Sequence, residues 1–203
     1  MLYDITPMVS PRLAVWPGDT PPRREVLLDL DRGDSVTLST LHATVHLGAH
    51  ADAPSHYGAG AASIEQADLQ RYLGPCQVVR VPTAPGTRVA ALPVVVTEAR
   101  VLIATGSDPD PERFGEDFAA LDPALIDALH AAGVQLVGID TPSVDLFASK
   151  DLPTHAACLR HDVRILEGLM LAEVPEGLYE LIALPLRLEG FDASPVRAVL
   201  RTR

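Results

Sequence analysis

The sequence predicts a mixed α/β domain, on three observations. Short runs of Val, Ile and Leu recur along the 203 residues at strand length. Two are preceded by helix-length segments, giving helix–strand units at 122–139 and 156–166. The 18 prolines are scattered between the apolar runs, which reads as rigid loops around a regular core. The length suits one domain, residues 1–203, burying roughly 70% of the surface its unfolded chain exposes.

Leu2-Tyr3-Asp4-Ile5 and Leu13-Ala14-Val15-Trp16 read as short strands, with Pro17-Gly18-Asp19 as a turn. Strands follow at 25–30 and 36–41, joined by Asp31-Arg32-Gly33-Asp34. In the second, Val36 and Leu38 alternate with polar residues. Residues 64–72 suit a helix, with Leu69 and Tyr72 three apart and Gly74-Pro75 as a stop. Cys76–Val81 and Val101–Ala104 suit strands, 106–116 a polar loop, and 87–96 is ambiguous.

The clearest helix opens with Asp122 as N-cap and Pro123 at the first helical position, and ends at Gly133. Val134–Ile139 is then a buried strand. A helix at 156–163 and strands at 164–167, 178–184 and 196–200 complete the chain.

A net charge of −11 without a Lys/Arg cluster argues against nucleic acid and anionic membrane surfaces as partners. No apolar run approaches the roughly 20 residues that span a bilayer. The first residues lack the basic-then-apolar pattern of a signal peptide, so a cytoplasmic location and free thiols at Cys76 and Cys158 are expected.

The chemistry is concentrated in His46-Leu-Gly-Ala-His50-Ala-Asp52-Ala-Pro-Ser-His56. His46, His50, Asp52 and His56 all fall on even numbers, so in extended chain they point to one side. Gly48 and Pro54 speak against a helix over the same residues. The residues between are mostly small, which lets backbone approach an ion or substrate closely. Histidine nitrogen with carboxylate oxygen suits zinc, and less strongly manganese or iron. Two histidines and a carboxylate leave a coordination position open for water. His155 and Glu167 are the best candidates for a second ion.

A lone histidine is usually structural, and His42, His130 and His161 are read that way. Asp140 and Asp145 read as caps or loop residues rather than ligands. A tryptophan alone in a domain is most often core, yet Trp16 before Pro17-Gly18-Asp19 can stand at a loop edge. No G-x-S-x-G elbow is present, which disfavours a serine nucleophile. Ala104–Asp108 lacks the P-loop lysine and a full G-x-G-x-x-G, which disfavours nucleotide binding.

The H-x-G-x-H-x-D-x-P-x-H pattern resembles the signature of the cyclase-like metal-dependent hydrolases. Trp16–Thr20, His46–Tyr57, Gly138–Asp145, Ser149–His155 and Arg164–Gly168 resemble, in order, the bacterial kynurenine formamidases (arylformamidases) of that family. The resemblance implies an α/β fold with a mixed sheet partly closed into a barrel and flanked by helices. It implies two zinc ions, one on His46, His50 and Asp52, the other on Asp52, His155 and Glu167. His56 becomes the acid/base residue and Trp16 a contact to the substrate's aromatic ring. The implied activity is hydrolysis of N-formyl-L-kynurenine to L-kynurenine and formate in tryptophan catabolism, by a homodimer. Two positions depart from the relatives, Leu47 for Thr or Ser and Ala49 for Thr. Arg164, Arg187 and Lys150 could each meet the substrate's carboxylate, though a solvated surface charge is the commoner role for each. The alternatives are a related amidase of the isatin-hydrolase kind, using manganese, and a non-catalytic metal-binding protein.

Overall fold

The computed structural model describes residues 1–108 and 110–203; Pro109, within the expected loop at 106–116, lies outside them. Its centre is a nine-stranded sheet in the order β1 (Leu2–Asp4), β13 (Val199–Thr202), β11 (Gly177–Ile182), β5 (Leu73–Arg80), β7 (Arg100–Ala104), β9 (Leu136–Ile139), β10 (Arg164–Glu167), β4 (His50–Asp52) and β12 (Ala193–Pro195). The middle pairs β5–β7, β7–β9 and β9–β10 are parallel and the flanking ones antiparallel. That is the mixed sheet the helix–strand units demand.

Alternation along each strand divides the core into two clusters. Val101, Ile103, Val137, Ile139 and Ile165 face one way, against helices α2 (Pro123–Ala131) and α3 (Pro153–His161). Leu102, Leu136 and Leu166 face the other way, where they meet Ala51 from one end of the sheet and Leu200 from the other. One cluster fed from both ends requires a curled sheet, a half-barrel with its concave side filled. At Gly138 core side chains press directly on the backbone: an added Cβ would lie 2.4 Å from Leu102 Cδ2 and 2.8 Å from Leu169 Cδ1. A separate ribbon, β2 (Arg23–Leu28) with β3 (Leu38–His42), leaves Leu27, Leu38 and Leu41 about half exposed or more. A short parallel pair, β6 (Arg88–Val89) with β8 (Ala120–Leu121), forms a third sheet.

Several local expectations are corrected. Residues 13–16 form no strand. Pro11 and Pro17 bracket them, and Ala14 N–H bonds Pro111 O instead of a ladder partner. The expected helix at 64–72 is two 3₁₀ turns, Ile64–Gln66 and Leu69–Tyr72. The break comes at Ala67 and Asp68, both extended, with Asp68 capping Gln70 N–H. Helix α3 begins at Pro153, three residues earlier than expected, because proline suits the first helical position. The last strand is displaced to Val199–Thr202, with β12 before it. Asp122 caps α2 through Ala124 N–H, as its position predicts. Both cysteines are buried free thiols.

Candidate metal centre

Strand β4 lies antiparallel to β10, in a register that sets His50 directly opposite Glu167 and Asp52 opposite Ile165. Cross-strand pairs bring side chains into contact, so residues 117 positions apart in sequence meet because of pairing. His50 Nε2 is 3.3 Å from Glu167 Oε2 and 3.5 Å from Asp52 Oδ1. Parity holds for His50 and Asp52, with Ala51 turned to the opposite core. His46 and His56 arrive differently. Gly48, at φ +54, bends the chain before the strand, and the one-turn helix α1 (Pro54–Tyr57) bends it after. The His46 and His56 rings then stand 4.2 Å apart between centroids.

Asp52 is fully buried and central. Its Oδ1 faces His46 Nδ1 at 3.2 Å, and its Oδ2 faces His155 Nε2, on α3, at 3.4 Å. His155 Nε2 is also 3.6 Å from Glu167 Oε1. Two sets, His46–Asp52–His56 and His50–Asp52–Glu167, hold their donor atoms within 4.8 Å of one another. All five expected ligands are therefore gathered, and His56 stands with them.

Four atoms at this centre, His50 Nε2, both Asp52 carboxylate oxygens and His155 Nε2, are buried without a hydrogen-bond partner among the described residues. Leaving such a group unsatisfied costs about 1–3 kcal/mol, more when charged. Four that converge match the donor set of a borderline cation such as zinc.

The electrostatics agree. Burial pulls His155 down, but Asp145, Asp52 and Glu167 outweigh it and raise its pKa to about 10. Burial likewise opposes the effect of Asp52, Asp192 and Glu167 on His46, which is raised to about 9. Burial pushes Asp52 up, while the facing His155 and His46 rings and the nearby His50 hold it well below the usual carboxylate range. The pocket stabilises positive charge at several atoms at once.

Asp192 escaped the sequence reading, and Asp145, read there as a cap or loop residue, does cap a helix but also holds a histidine of the centre. Asp145 lies 2.9 Å from His155 Nδ1 and also accepts from the backbone N–H groups of Thr154 and His155, capping the start of α3. Asp192, after a long loop, lies 3.0 Å from His46 Nε2 and 3.4 Å from His56 Nδ1. Asp192 has no periodicity or motif to mark it, and Asp145, at the end of the Gly138–Asp145 segment, has nothing in its spacing that ties it to His155. Asp140 is a loop anchor, accepting from Thr105 and Gly106. His42 pairs with Glu25 on the ribbon, and His130 stacks on His161 away from the centre.

The centre opens into a cavity of about 480 Å³, within the range of small-molecule sites. Trp16 lines it and packs against Phe147 and Phe114 at centroid distances of 5.0 and 5.3 Å. The residues expected to form a strand instead build this wall. Leu47 and Ala49, the two departures, are buried with 2% and 1% exposure.

Residues 3–146 match the family described as putative cyclase. The chain belongs to the cyclase family. It is 47% identical over 206 residues to kynurenine formamidase of Bordetella pertussis, covering 98% of this chain and 97% of that one. Among solved structures, this cyclase-family chain is similar to a potential metal-dependent hydrolase with cyclase activity. The TM-score is 0.85, with 28% identity over 98% of this chain and 96% of that one. It is also similar to a predicted metal-dependent hydrolase from Bacillus stearothermophilus, with TM-score 0.82 and 30% identity over 98% and 97% of the two chains.

Proposed function

We propose that this protein is a metal-dependent arylformamidase that hydrolyses N-formyl-L-kynurenine to L-kynurenine and formate in tryptophan catabolism. The observation that carries the reading is the convergence of buried, unpartnered His50 Nε2, Asp52 and His155 Nε2 at the floor of an aromatic-walled cavity. The 47% identity to a kynurenine formamidase along nearly the whole chain supports the substrate.

His46, His50 and Asp52 are assigned to one zinc ion, and Asp52, His155 and Glu167 to a second. Manganese is the other metal this donor set accepts. Asp52 suits a shared position, since its two oxygens face different histidines. When bound, such ions supply Lewis acidity, polarising a carbonyl and lowering the pKa of water.

The chain's residues do the rest. His56 is partly exposed at the cavity wall, with Nδ1 turned to Asp192. Its Nε2 is the nitrogen left to exchange protons with substrate. His56 takes a proton from the water that attacks the formyl carbon and delivers it to the anilide nitrogen as the C–N bond breaks. Formate and the free arylamine leave. Trp16, held by Phe114 and Phe147, offers its ring to the substrate's aryl group.

Among the described residues no helix is long and apolar enough to cross a membrane. The cytoplasm is the location we propose for the enzyme. The exposed leucines of the β2–β3 ribbon favour a homodimer. The test is turnover of N-formyl-L-kynurenine by the purified protein, with kynurenine and formate appearing in equal amounts. His56→Ala lowers kcat by about 100-fold or more while metal content holds. Unchanged kcat in that variant excludes the acid/base role.

A further inference from the structure

The cavity is chemically graded. Its floor is the buried centre, where His50, 4% exposed, aims an unpartnered Nε2 into the space. Its wall is aromatic. Its rim is the loop after β7, which contributes Asp108, Asp110 and Arg113. None of these has a role in the hydrolysis itself.

The rim carries an excess of negative charge close to one cation. Burial, and then Asp140, Asp110 and Asp117, raise the Asp108 carboxyl to about 6, and Arg113 opposes this. Asp140 is already committed, accepting from Thr105 N–H at 2.9 Å, Thr105 Oγ1 at 2.7 Å and Gly106 N–H at 2.8 Å. Asp110 receives Glu112 N–H at 3.0 Å. Asp108 is thus the half-buried carboxylate that gains most from a cation, and Arg113 the guanidinium beside it. A divalent ion fits such a rim poorly, since Arg113 repels it. A ligand with an ammonium and a carboxylate on one carbon answers both groups at once.

We infer that Asp108 and Arg113 form a subsite for the zwitterionic α-amino-acid tail of an aryl formamide, Asp108 receiving the ammonium and Arg113 the carboxylate. The inference rests on the proposed formamidase reading and adds to it the basis of tail recognition. It also replaces the cations named from sequence. Arg187 and Lys150 do not line the cavity, and Arg164 pairs with Asp162 beside a different, smaller pocket. Arg113 sits one residue before Phe114, so the loop that supports Trp16 also carries the charge.

The test compares kcat/KM of the metal-loaded enzyme on three substrates: N-formyl-L-kynurenine, its methyl ester, and 2′-formamidoacetophenone, which has no tail. The wild type prefers the full substrate over the tailless one by about tenfold or more. Arg113→Gln and Asp108→Asn each cut that preference by about tenfold. Arg113→Gln costs far less on the ester, which has already lost the carboxylate, so substitution and esterification are not additive. Wild-type kcat/KM is itself lower on the ester than on the free acid, and that comparison stands even if a variant folds poorly. Equal turnover of all three substrates, or a preference that survives both substitutions, overturns the subsite alone. Failure of the metal-loaded wild type on all three overturns the formamidase reading and the subsite with it.

Discussion

Asp145 Oδ2 accepts a hydrogen bond from His155 Nδ1 at 2.9 Å, and this fixes the ring so that Nε2 points at Asp52 and Glu167. The carboxylate is itself held by Arg88 at 3.1 Å and by two N–H groups at the start of α3. A histidine oriented this way presents one tautomer to a metal and is a stronger donor.

Asp145→Asn therefore weakens metal binding by about 10- to 100-fold. Competition with a chromophoric chelator measures it. Wild-type affinity in the variant would show that His155 is held by packing alone.

The backbone beside Glu167 tolerates no side chain. Gly168 has φ +66, and an added Cβ would lie 2.3 Å from Gly48 O. The two glycines seat the strand that carries Glu167 against the loop that carries His46. Gly168→Ala should cost more than about 2 kcal/mol, since the contact is with backbone and the conformation is left-handed. A thermal melt checks it, and a wild-type Tm would contradict the close approach.

Much of the centre was legible in the sequence, for a physical reason. A strand's two-residue period and small neighbours mark His50 and Asp52, while donor chemistry alone makes His155 and Glu167 candidates and the family resemblance pairs them with Asp52. What could not be read depended on tertiary closure. Asp145 and Asp192 reach their histidines only after the sheet curls, and Arg113 sits on a loop with no periodicity. The Pro-bracketed residues 13–16 carry a strand's composition, but no neighbouring edge pairs with them. Asp68 competes for Gln70 N–H and so divides an apparent helix.

The rim makes a stability prediction with a definite sign. Asp108 has a folded-state pKa raised to about 6 from 3.8. A raised carboxyl costs nothing while protonated in both states, and its penalty grows as pH rises from about 4 to about 6 and persists above. Asp108→Asn is therefore neutral near pH 4 and stabilising near pH 7.5. The gain is about 1 kcal/mol once the shift is discounted for the residue's half exposure. Denaturant midpoints at the two pH values measure it. A variant less stable than wild type near pH 7.5 would contradict the rim's electrostatics.

The proposed hydrolysis depends on metal held by the side chains around Asp52. Stripping the protein with a chelator and titrating zinc back, while following N-formyl-L-kynurenine hydrolysis and bound metal together, reads that dependence. Activity should vanish on stripping and return in proportion to metal bound, saturating near two ions per chain. Full turnover in protein shown to be metal-free would contradict the account.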